Sequence, residues 1–195
     1  MRPEIEIKLA VYDPRAIRRR LAELGFRRIS RRRFERNLLY DFPDRRLRKA
    51  GSLVRLRFAG SRSLLTFKGR QVHQGRFKER PEIESGVSDG LETGRVLEAL
   101  GLRAAFRYEK YRALYRKPGD RAHNEVTFDE TPIGTYIELE GPRRWIDRLA
   151  RALGYSPGDY ISASYGRLYL EWCQSNGREP SDMVFERSPK SSSDK

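Results

Sequence analysis

The chain has one cysteine, two histidines and no long apolar run, and each shortage argues against a class of protein. The single thiol, Cys173, cannot form an intramolecular disulfide, so a reducing compartment is expected. His73 and His123 lie in predicted loops, which argues against a zinc site of the usual kind. No apolar run has transmembrane length and no signal peptide precedes the first predicted strand, so a cytoplasmic protein is expected.

A phosphate-binding loop of the G-x-x-x-x-G-K-[ST] type is also missing, which argues against a P-loop NTPase. What the sequence has in abundance is positive charge: 41 Lys and Arg against 27 Asp and Glu give a net charge of +14 in 195 residues. Such an excess favours an anionic partner, such as phosphate, nucleotide, nucleic acid or a membrane surface. No RNA-binding aromatic motif or zinc finger is present, so nucleic acid is possible but not favoured.

The strongest pattern is an alternation of ionic and apolar residues in short segments. Alternate residues of a strand point the same way, so Glu4, Glu6 and Lys8 share one face and three apolar residues share the other. An eighth segment, residues 34–42, is less regular. The remaining segments that repeat the alternation are residues 54–58, 65–68, 80–84, 110–113, 126–129 and 137–140.

About eight antiparallel strands can hide their edges by closing into a barrel. The predicted helices need an apolar sheet face to cover, so helices outside would place the ionic face in the lumen. The sequence therefore predicts an α+β fold, an eight-stranded antiparallel closed β-barrel with helices packed outside. Such a lumen must be wet, internally paired or filled by a charged ligand; the alternative is an open sheet with this face in water. The predicted lumen contains Glu4, Glu6, Lys8, Arg55, Arg57, Lys68, Arg80, Glu82, Glu84, Lys110, Arg112, Asp129, Glu138 and Glu140.

Helical patterns cover residues 14–24, 91–100, a segment after Pro142, and 162–174. The last of these could plug one end of the barrel or lie across its outside. From Ser175 the periodicity ends and Gly, Pro and Ser predominate, which is typical of a flexible segment. The sequence thus predicts a single domain over residues 1–174 and a flexible C-terminal tail over residues 175–195 without a catalytic role.

The predicted lumen favours one kind of chemistry. Carboxylates suit the hard ions Mg²⁺ and Mn²⁺, and Arg and Lys together hold phosphate oxygens. A linear triphosphate with one or two metal ions fits this set. Phosphoryl transfer depends on positioning and charge neutralisation, so it needs no protein nucleophile.

The ordered motifs resemble those of the CYTH superfamily, the triphosphate tunnel metalloenzymes. The first motif, E-x-E-x-K at residues 4–8, is only moderately specific by itself, but the ordered set is highly specific. The resemblance covers about residues 4–172 and implies an eight-stranded tunnel with a divalent-metal-dependent site. The further motifs are Arg55-Leu56-Arg57, Leu65-Thr66-Phe67-Lys68-Gly69, Arg80-x-Glu82-x-Glu84, Lys110-Tyr111-Arg112, Phe128-Asp129 and Ile137-Glu138-Leu139-Glu140.

The resemblance also implies roles for individual residues. The metal candidates are Glu4, Glu6, Glu138 and Glu140, with Asp129 for a second metal or the attacking water. The phosphate-binding candidates are Lys8, Arg55, Arg57, Lys68, Arg80, Lys110 and Arg112. The catalytic candidates are Lys8, Arg57 and Asp129. Glu82 and Glu84 either bind metal or orient neighbouring bases, and the sequence leaves both readings open.

Known members of the superfamily include class IV adenylate cyclases and thiamine, inorganic and RNA triphosphatases. The sequence predicts hydrolysis of a phosphoanhydride in inorganic or organic triphosphate, with Mg²⁺ or Mn²⁺. The alternative is cyclisation of ATP to cyclic AMP and pyrophosphate: residues 41–44 and the chain length favour the cyclase-type branch, but no adenine-pocket motif is identifiable. A non-enzymatic sensor of polyphosphate, nucleotide or RNA would not need the carboxylates. The expected partner is inorganic triphosphate, thiamine triphosphate or ATP, with no membrane partner, and the oligomeric state, a homodimer included, stays open.

Overall fold

The computed structural model describes residues 3–120 and 124–186. One short 3₁₀ helix covers Pro157–Asp159. The α-helices are α1 (Pro14–Glu23), α2 (Arg46–Lys49), α3 (Gly90–Ala99), α4 (Arg143–Ala152) and α5 (Tyr165–Ser175). The strands are β1 (Pro3–Ala10), β2 (Arg27–Arg28), β3 (Arg33–Asp41), β4 (Leu53–Ala59), β5 (Arg62–Lys68), β6 (Val72–Gln74), β7 (Phe77–Val87), β8 (Arg103–Arg116), β9 (Glu125–Thr131) and β10 (Gly134–Glu140).

Eight of these strands close into an antiparallel barrel, as the sequence predicts. They follow the order β1-β10-β9-β8-β3-β4-β5-β7, and β7 pairs with β1 to close the ring. At this junction Glu4 lies opposite Arg80 and Glu6 opposite Lys78. The barrel therefore has no open edge between its first and last strands, and the alternative of an open sheet does not occur.

The apolar faces of the strands point outward and are covered by helices. Ile7 and Leu9 of β1 pack with Leu21 of α1 and with Ile146 and Leu149 of α4, and all five are buried. These helical residues recur three or four positions apart, which gives each helix one apolar stripe. The helices therefore turn the ionic faces of the strands toward the barrel interior, which confirms the predicted arrangement.

Helix α3 lies very close to the barrel because two of its contact positions lack side chains. A Cβ atom at Gly90 would lie 2.5 Å from Cε1 of Phe58, and one at Gly94 would lie 2.9 Å from the hydroxyl of Tyr40. Asp89 caps the helix by accepting hydrogen bonds from the amides of Leu91 and Glu92. Glycine is therefore required here by space and not by backbone conformation.

Helix α5 lies across one end of the barrel, which decides between the two predicted positions for this helix. The chain approaches through Ile161, which forms a two-way backbone bridge with Lys8 beyond the end of the β1–β7 pairing. Tyr165 and Tyr169 then pack with Tyr108 on the inner side of β8. The inward residue Leu39 of β3 packs against the same cluster, which explains the run of apolar residues that makes this segment irregular in sequence.

The segment after α5 is attached to the barrel, which differs from the predicted flexible tail. Met183 is fully buried, its amide donates to the carbonyl of Arg107, and its carbonyl accepts from the amide of Glu109. Met183 pairs with Tyr108, which lies in a part of β8 that is not paired with β9. Phe185 packs on Tyr111 at a ring distance of 5.3 Å. Residues 181–186, here called the strap, are therefore part of the folded domain; residues 187–195 lie outside the described residues.

The positions of the histidines and the lengths of the helices bear on two further predictions. His73 lies in β6 and not in a loop, while His123 lies outside the described residues. No helix in the described part of the chain is long and apolar enough to cross a membrane.

We predict that Met183→Ala lowers the free energy of unfolding by about 2–5 kcal/mol, because the substitution leaves a cavity among buried aromatic rings. Urea denaturation monitored by circular dichroism measures this change. Leu91→Ala is the matched control, since Leu91 is 67% exposed and its truncation should change stability by about 0.5 kcal/mol or less. Equal effects of the two substitutions would show that the strap does not contribute to the stability of the domain.

Candidate active site

The barrel encloses a cavity of about 410 Å³, here called the tunnel. This volume is within the range of small-ligand sites. Seven acidic and eight basic side chains line it, so the charges are nearly balanced. All of the predicted lumen residues line the tunnel except Asp129, which is fully buried in its wall. The ionic face that alternates in the sequence is therefore brought together in one enclosed space.

Residues of β1, β7 and β10 form the first ionic group in the tunnel. Lys8 Nζ lies 3.2 Å from Glu6 Oε1 and 3.3 Å from Glu138 Oε1, and Lys78 also pairs with Glu6. Burial alone would raise the pKa of Glu6, but Lys78 and Lys8 bring it well below its usual range. Burial likewise opposes the charge of Lys8, and the two carboxylates raise its pKa above the ordinary value. Both kinds of group therefore stay ionised in the wall.

Asp129 organises a second group. Its Oδ2 accepts from Lys110 Nζ at 2.9 Å and from the Tyr165 hydroxyl at 2.7 Å, and both of its oxygens accept from Arg112 at 2.6 Å. Burial alone would raise the pKa of Asp129, but Arg112 and Lys110 lower it. Burial and Asp129 raise the pKa of Tyr165 well above its usual range, so its hydroxyl remains a donor.

The role predicted for Asp129, toward a second metal or the attacking water, stays a prediction, and the structure shows what the carboxylate contacts in the free protein. Its oxygens are already occupied by cations and a hydroxyl, and it does not line the tunnel. In this arrangement the carboxylate fixes the positions of Lys110 and Arg112. Arg112 also pairs with Glu138, so it connects the Asp129 group to the first group.

The third group lies on β4, β5 and β7. Arg55 Nη2 lies 3.3 Å from Glu84 Oε2 and 3.6 Å from Glu82 Oε1. Lys68 Nζ lies 2.6 Å from both Glu82 Oε2 and Glu4 Oε2. Glu82 and Glu84 thus pair with Arg55 and Lys68 in the free protein, and both predicted roles, metal binding and orientation of neighbouring bases, stay predictions.

Two predicted phosphate-binding arginines differ in how they are held. Arg80 donates to the carbonyl of Gly69 at 2.7 Å and to that of Lys68 at 3.1 Å, so it clamps the end of β5. Arg57 Nε lies 3.3 Å from Asn37 Oδ1 and 3.7 Å from Glu35 Oε2. Arg57 is therefore held mainly by side chains and faces the tunnel, while much of the guanidinium of Arg80 is engaged by backbone.

Negative charge is in excess at one place in the tunnel. Glu140 lies opposite Glu6 on β1 and opposite Glu125 on β9, and its carboxylate makes no hydrogen bond or ion pair with any described residue. Burial and then Glu6 raise its pKa to about 7. Burial and a hydrogen bond with Glu82 raise the pKa of Glu4 to about 8. Burial opposes ionisation of Glu82 too, but Glu4 and Lys68 lower its pKa to about 2.

The donor chemistry at this place fits a hard divalent cation. Glu4, Glu6, Glu138 and Glu140 offer only carboxylate oxygens, and the raised pKa values of Glu4 and Glu140 mark charge that a cation would neutralise. Within residues 3–120 and 124–186, however, no three acidic, histidine or cysteine side chains are grouped at ligand spacing. Lys8 lies between Glu6 and Glu138, and Lys68 between Glu4 and Glu82. Metal binding here therefore requires these ammonium groups to move aside.

The sequence pattern does not identify several residues of the site. Lys78 shares its face with Arg80, Glu82 and Glu84, so extending the predicted strand by one alternate position would have included it. Glu35 and Asn37 are buried inward residues of β3. The β-bulge after Leu39 and the apolar contacts of that strand with α5 obscure their alternation. Tyr165 carries no signal in sequence, because only the position of α5 brings it to Asp129.

Comparison with known proteins agrees with this geometry. The family model described as CYTH domain matches residues 2–194. A protein of Methanocaldococcus jannaschii, provisionally named an adenylate cyclase, is 27% identical over 137 residues, which cover 70% of this chain and 75% of the relative.

Solved structures share the barrel. A Vibrio parahaemolyticus protein, provisionally described as an adenylate cyclase, has a TM-score of 0.75 at 18% identity over 86% of this chain and 97% of its own. A Pyrococcus horikoshii protein has a TM-score of 0.72 at 24% identity, over 86% and 98%. A Hippeastrum protein, provisionally described as an adenylyl cyclase with a dominant triphosphatase activity, has a TM-score of 0.62 at 20% identity, over 91% and 97%. At these identities the neighbours show the common fold alone.

We predict that Glu140→Gln raises the melting temperature at pH 8 in the presence of a chelator. The folded protein holds the Glu140 proton up to about pH 7, whereas an unfolded chain loses it from about pH 4.5. The free energy of unfolding of the wild type therefore falls as the pH rises through this window, and glutamine removes that loss. The gain should disappear near pH 4.5, as scanning fluorimetry at both pH values will show.

Glu179→Gln is the control, because Glu179 is exposed and makes no hydrogen bond or ion pair with any described residue. A melting temperature of Glu140→Gln at pH 8 that is no higher than that of the wild type would contradict the assigned charge excess.

Proposed function

Because this chain belongs to the CYTH domain family, we propose that it is a divalent-metal-dependent enzyme that hydrolyses a phosphoanhydride of an inorganic or organic triphosphate bound in the tunnel. The observation that carries this proposal is the enclosed tunnel itself, which is lined by eight Lys and Arg side chains and seven carboxylates. A triphosphate is a linear polyanion, and its charge matches the row of cations that the barrel holds in place.

The ion pairs of the free protein suggest how the substrate is received. Lys8 and Lys68 are each shared between two carboxylates, so neither is fully committed to one partner. Phosphate oxygens would compete for these ammonium groups and draw them from the acids. Glu4, Glu6, Glu138 and Glu140 would then be available as metal ligands. A divalent cation bound to them supplies charge neutralisation at the phosphates.

The remaining residues hold and orient the phosphates. Asp129 keeps Lys110 and Arg112 fixed through buried hydrogen bonds, and the Tyr165 hydroxyl restrains the same carboxylate. A fixed cation needs little reorganisation when phosphate charge develops, which is the basis of electrostatic catalysis. In this proposal Lys8 and Arg57 contact the substrate, whereas Asp129 positions the groups that contact it.

The lining of the tunnel supports hydrolysis of a phosphate chain over cyclisation of a nucleotide. Leu39, Leu53, Tyr108 and Tyr165 are the large uncharged side chains that line it, and Tyr108 and Tyr165 are packed in the α5 cluster. A purine needs an apolar slot, and the lining offers little surface of that kind. The triphosphatase activity described for the Hippeastrum neighbour is consistent with this choice.

ATP cyclisation remains the second candidate, because the Methanocaldococcus jannaschii relative and the Vibrio parahaemolyticus neighbour carry adenylate cyclase names. In that reaction the ribose 3′-hydroxyl would attack the α-phosphorus. The same cations would bind the triphosphate if it were shifted along the tunnel. A sensor without activity is less well supported. Glu140 would repel a polyanion unless a cation intervened, so a binding protein has no use for it.

We expect orthophosphate to be released from tripolyphosphate when the protein is incubated with Mg²⁺ or Mn²⁺. ATP and thiamine triphosphate are offered separately, and products are resolved by ion-exchange chromatography. Thiamine diphosphate with orthophosphate would identify an organic triphosphate as substrate. Cyclic AMP with pyrophosphate from ATP would replace the proposal with the cyclase, and tight binding without turnover would replace it with the sensor.

We expect Arg57→Ala to raise the KM for the hydrolysed triphosphate by about tenfold or more, since a charge-assisted phosphate contact contributes about 1.5–3 kcal/mol. Steady-state kinetics measure this change. Arg151→Ala on α4 removes the same charge from an exposed position outside the tunnel and serves as the control. If Arg57→Ala has wild-type kinetics, the assignment of Arg57 to the phosphate site is wrong.

A further inference from the structure

A second large concavity lies on the outside of the barrel, and the proposed hydrolysis does not use it. It has a volume of about 950 Å³ and lies on β3, β4 and β8 between the β4–β5 turn and the strap. We call it the arginine groove and define it by Arg33, Arg36, Phe58, Arg62, Tyr111 and Phe185. Arg36, Phe58 and Tyr111 alternate with the tunnel residues Arg57 and Lys110, so the groove and the tunnel lie on opposite faces of the same strands.

Aromatic rings form the base of this groove. Phe34 and Phe185 each lie 5.3 Å from the ring of Tyr111, and Phe34 is 41% exposed. Phe58 lies on β4, two strands away from Tyr111 on β8. Neighbouring strands are about 4.8 Å apart, so the rings span about 10 Å across the sheet. Arg36 covers the ring of Phe58 and the guanidinium carbon of Arg32 lies 3.4 Å from the centre of the Tyr111 ring, so Phe34 offers the exposed face on which a base stacks.

Cations surround the rings. Arg36 lies over Phe58 with its guanidinium carbon 4.5 Å from the ring centre, and its Nε is buried without a hydrogen-bond partner. Arg33, Arg36 and Arg62 make no ion pair with any residue of the described chain. By contrast, Arg32 nearby is neutralised by Glu130. The groove therefore has unneutralised guanidinium groups beside the exposed ring of Phe34.

The acids of the groove do not cancel this charge. Glu109, which lies opposite Arg36, and Glu186 line it against the three arginines that define it, and Glu186 also pairs with Arg178 at 3.8 Å. The sequence that follows the strap contains Arg187, Lys190 and Lys195 against Asp194, so its charge does not complement the groove. A second copy of the chain is also strongly basic. An anion with flat rings complements both features.

We propose that the arginine groove binds single-stranded nucleic acid, with a base stacked on the exposed ring of Phe34 and phosphates held by Arg36 and Arg62. Stacking accepts any base, so the binding is expected to depend on salt and not on sequence. A duplex hides the faces of its bases and binds more weakly. The groove is separate from the tunnel, so this inference does not depend on the proposed hydrolase activity.

The test is fluorescence anisotropy with a 12-nucleotide oligouridylate labelled at its 3′ end, without divalent metal. Its 5′ end is a hydroxyl, so the probe offers no triphosphate to the tunnel. Arg36→Gln/Arg62→Gln should raise Kd about tenfold at 0.1 M KCl and reduce the slope of log K against log salt by about 1.4, since each single-strand phosphate contact contributes about 0.7. Phe34→Ala should raise Kd about fivefold or more.

Arg148→Gln/Arg151→Gln is the matched control, because it removes the same charge from exposed positions on α4. Its Kd should stay within twofold of the wild type. If both double variants weaken oligouridylate binding equally, net charge alone explains the binding and the proposed site is overturned. If a 12-residue polyglutamate competes as strongly as unlabelled oligouridylate, the surface is assigned to acidic peptides instead. If the wild-type protein causes no change in anisotropy, the proposal is also overturned. If the double variant does not fold by circular dichroism, Arg62→Gln alone replaces it, with an expected threefold loss.

Discussion

The mutual neutralisation of charges inside a closed barrel is the constraint on which the rest of this structure depends. A buried ion is costly unless a partner lies close to it, and here Glu6, Lys8 and Glu138 supply partners for one another across neighbouring strands. Asp129 does the same for Lys110 and Arg112. The pairs require the strand register of the barrel, so the register and the charge arrangement support each other.

The same constraint explains why the site is ready to accept a ligand. Pairing is nearly complete, but Glu140 has no partner among the described residues and Lys8 and Lys68 are each shared by two acids. A network with one unpaired carboxylate and shared cations rearranges more easily than one of isolated pairs. A substrate with many negative charges, bound together with a cation, would satisfy both kinds of group.

Much of the fold could be predicted because the alternation of charged and apolar residues has the period of a strand. Seven strands and the closed barrel follow from it, the four predicted helices follow from apolar residues three or four positions apart, and the motif resemblance is confirmed by the family match over residues 2–194. Lys78 was missed because the predicted strand was one alternate position too short, and Glu35 because the β-bulge and apolar contacts of β3 obscure the alternation. Tyr165 was missed because its contact with Asp129 depends on the position of α5. The strap was mistaken for a free tail because the burial of Met183 depends on a stretch of β8 that β9 leaves unpaired.

The sequence by itself determined which residues face inward, because side chains in a strand alternate and the helices need the apolar face. It could not determine which acid meets which base, because opposing residues on β1, β7 and β10 are set by register and closure. Only the tertiary structure decided that Asp129 holds cations, that Arg80 clamps a backbone turn and that Glu140 is left unpaired. The physical reason is that burial and pairing are properties of the space between strands, and that space exists only after the barrel has closed.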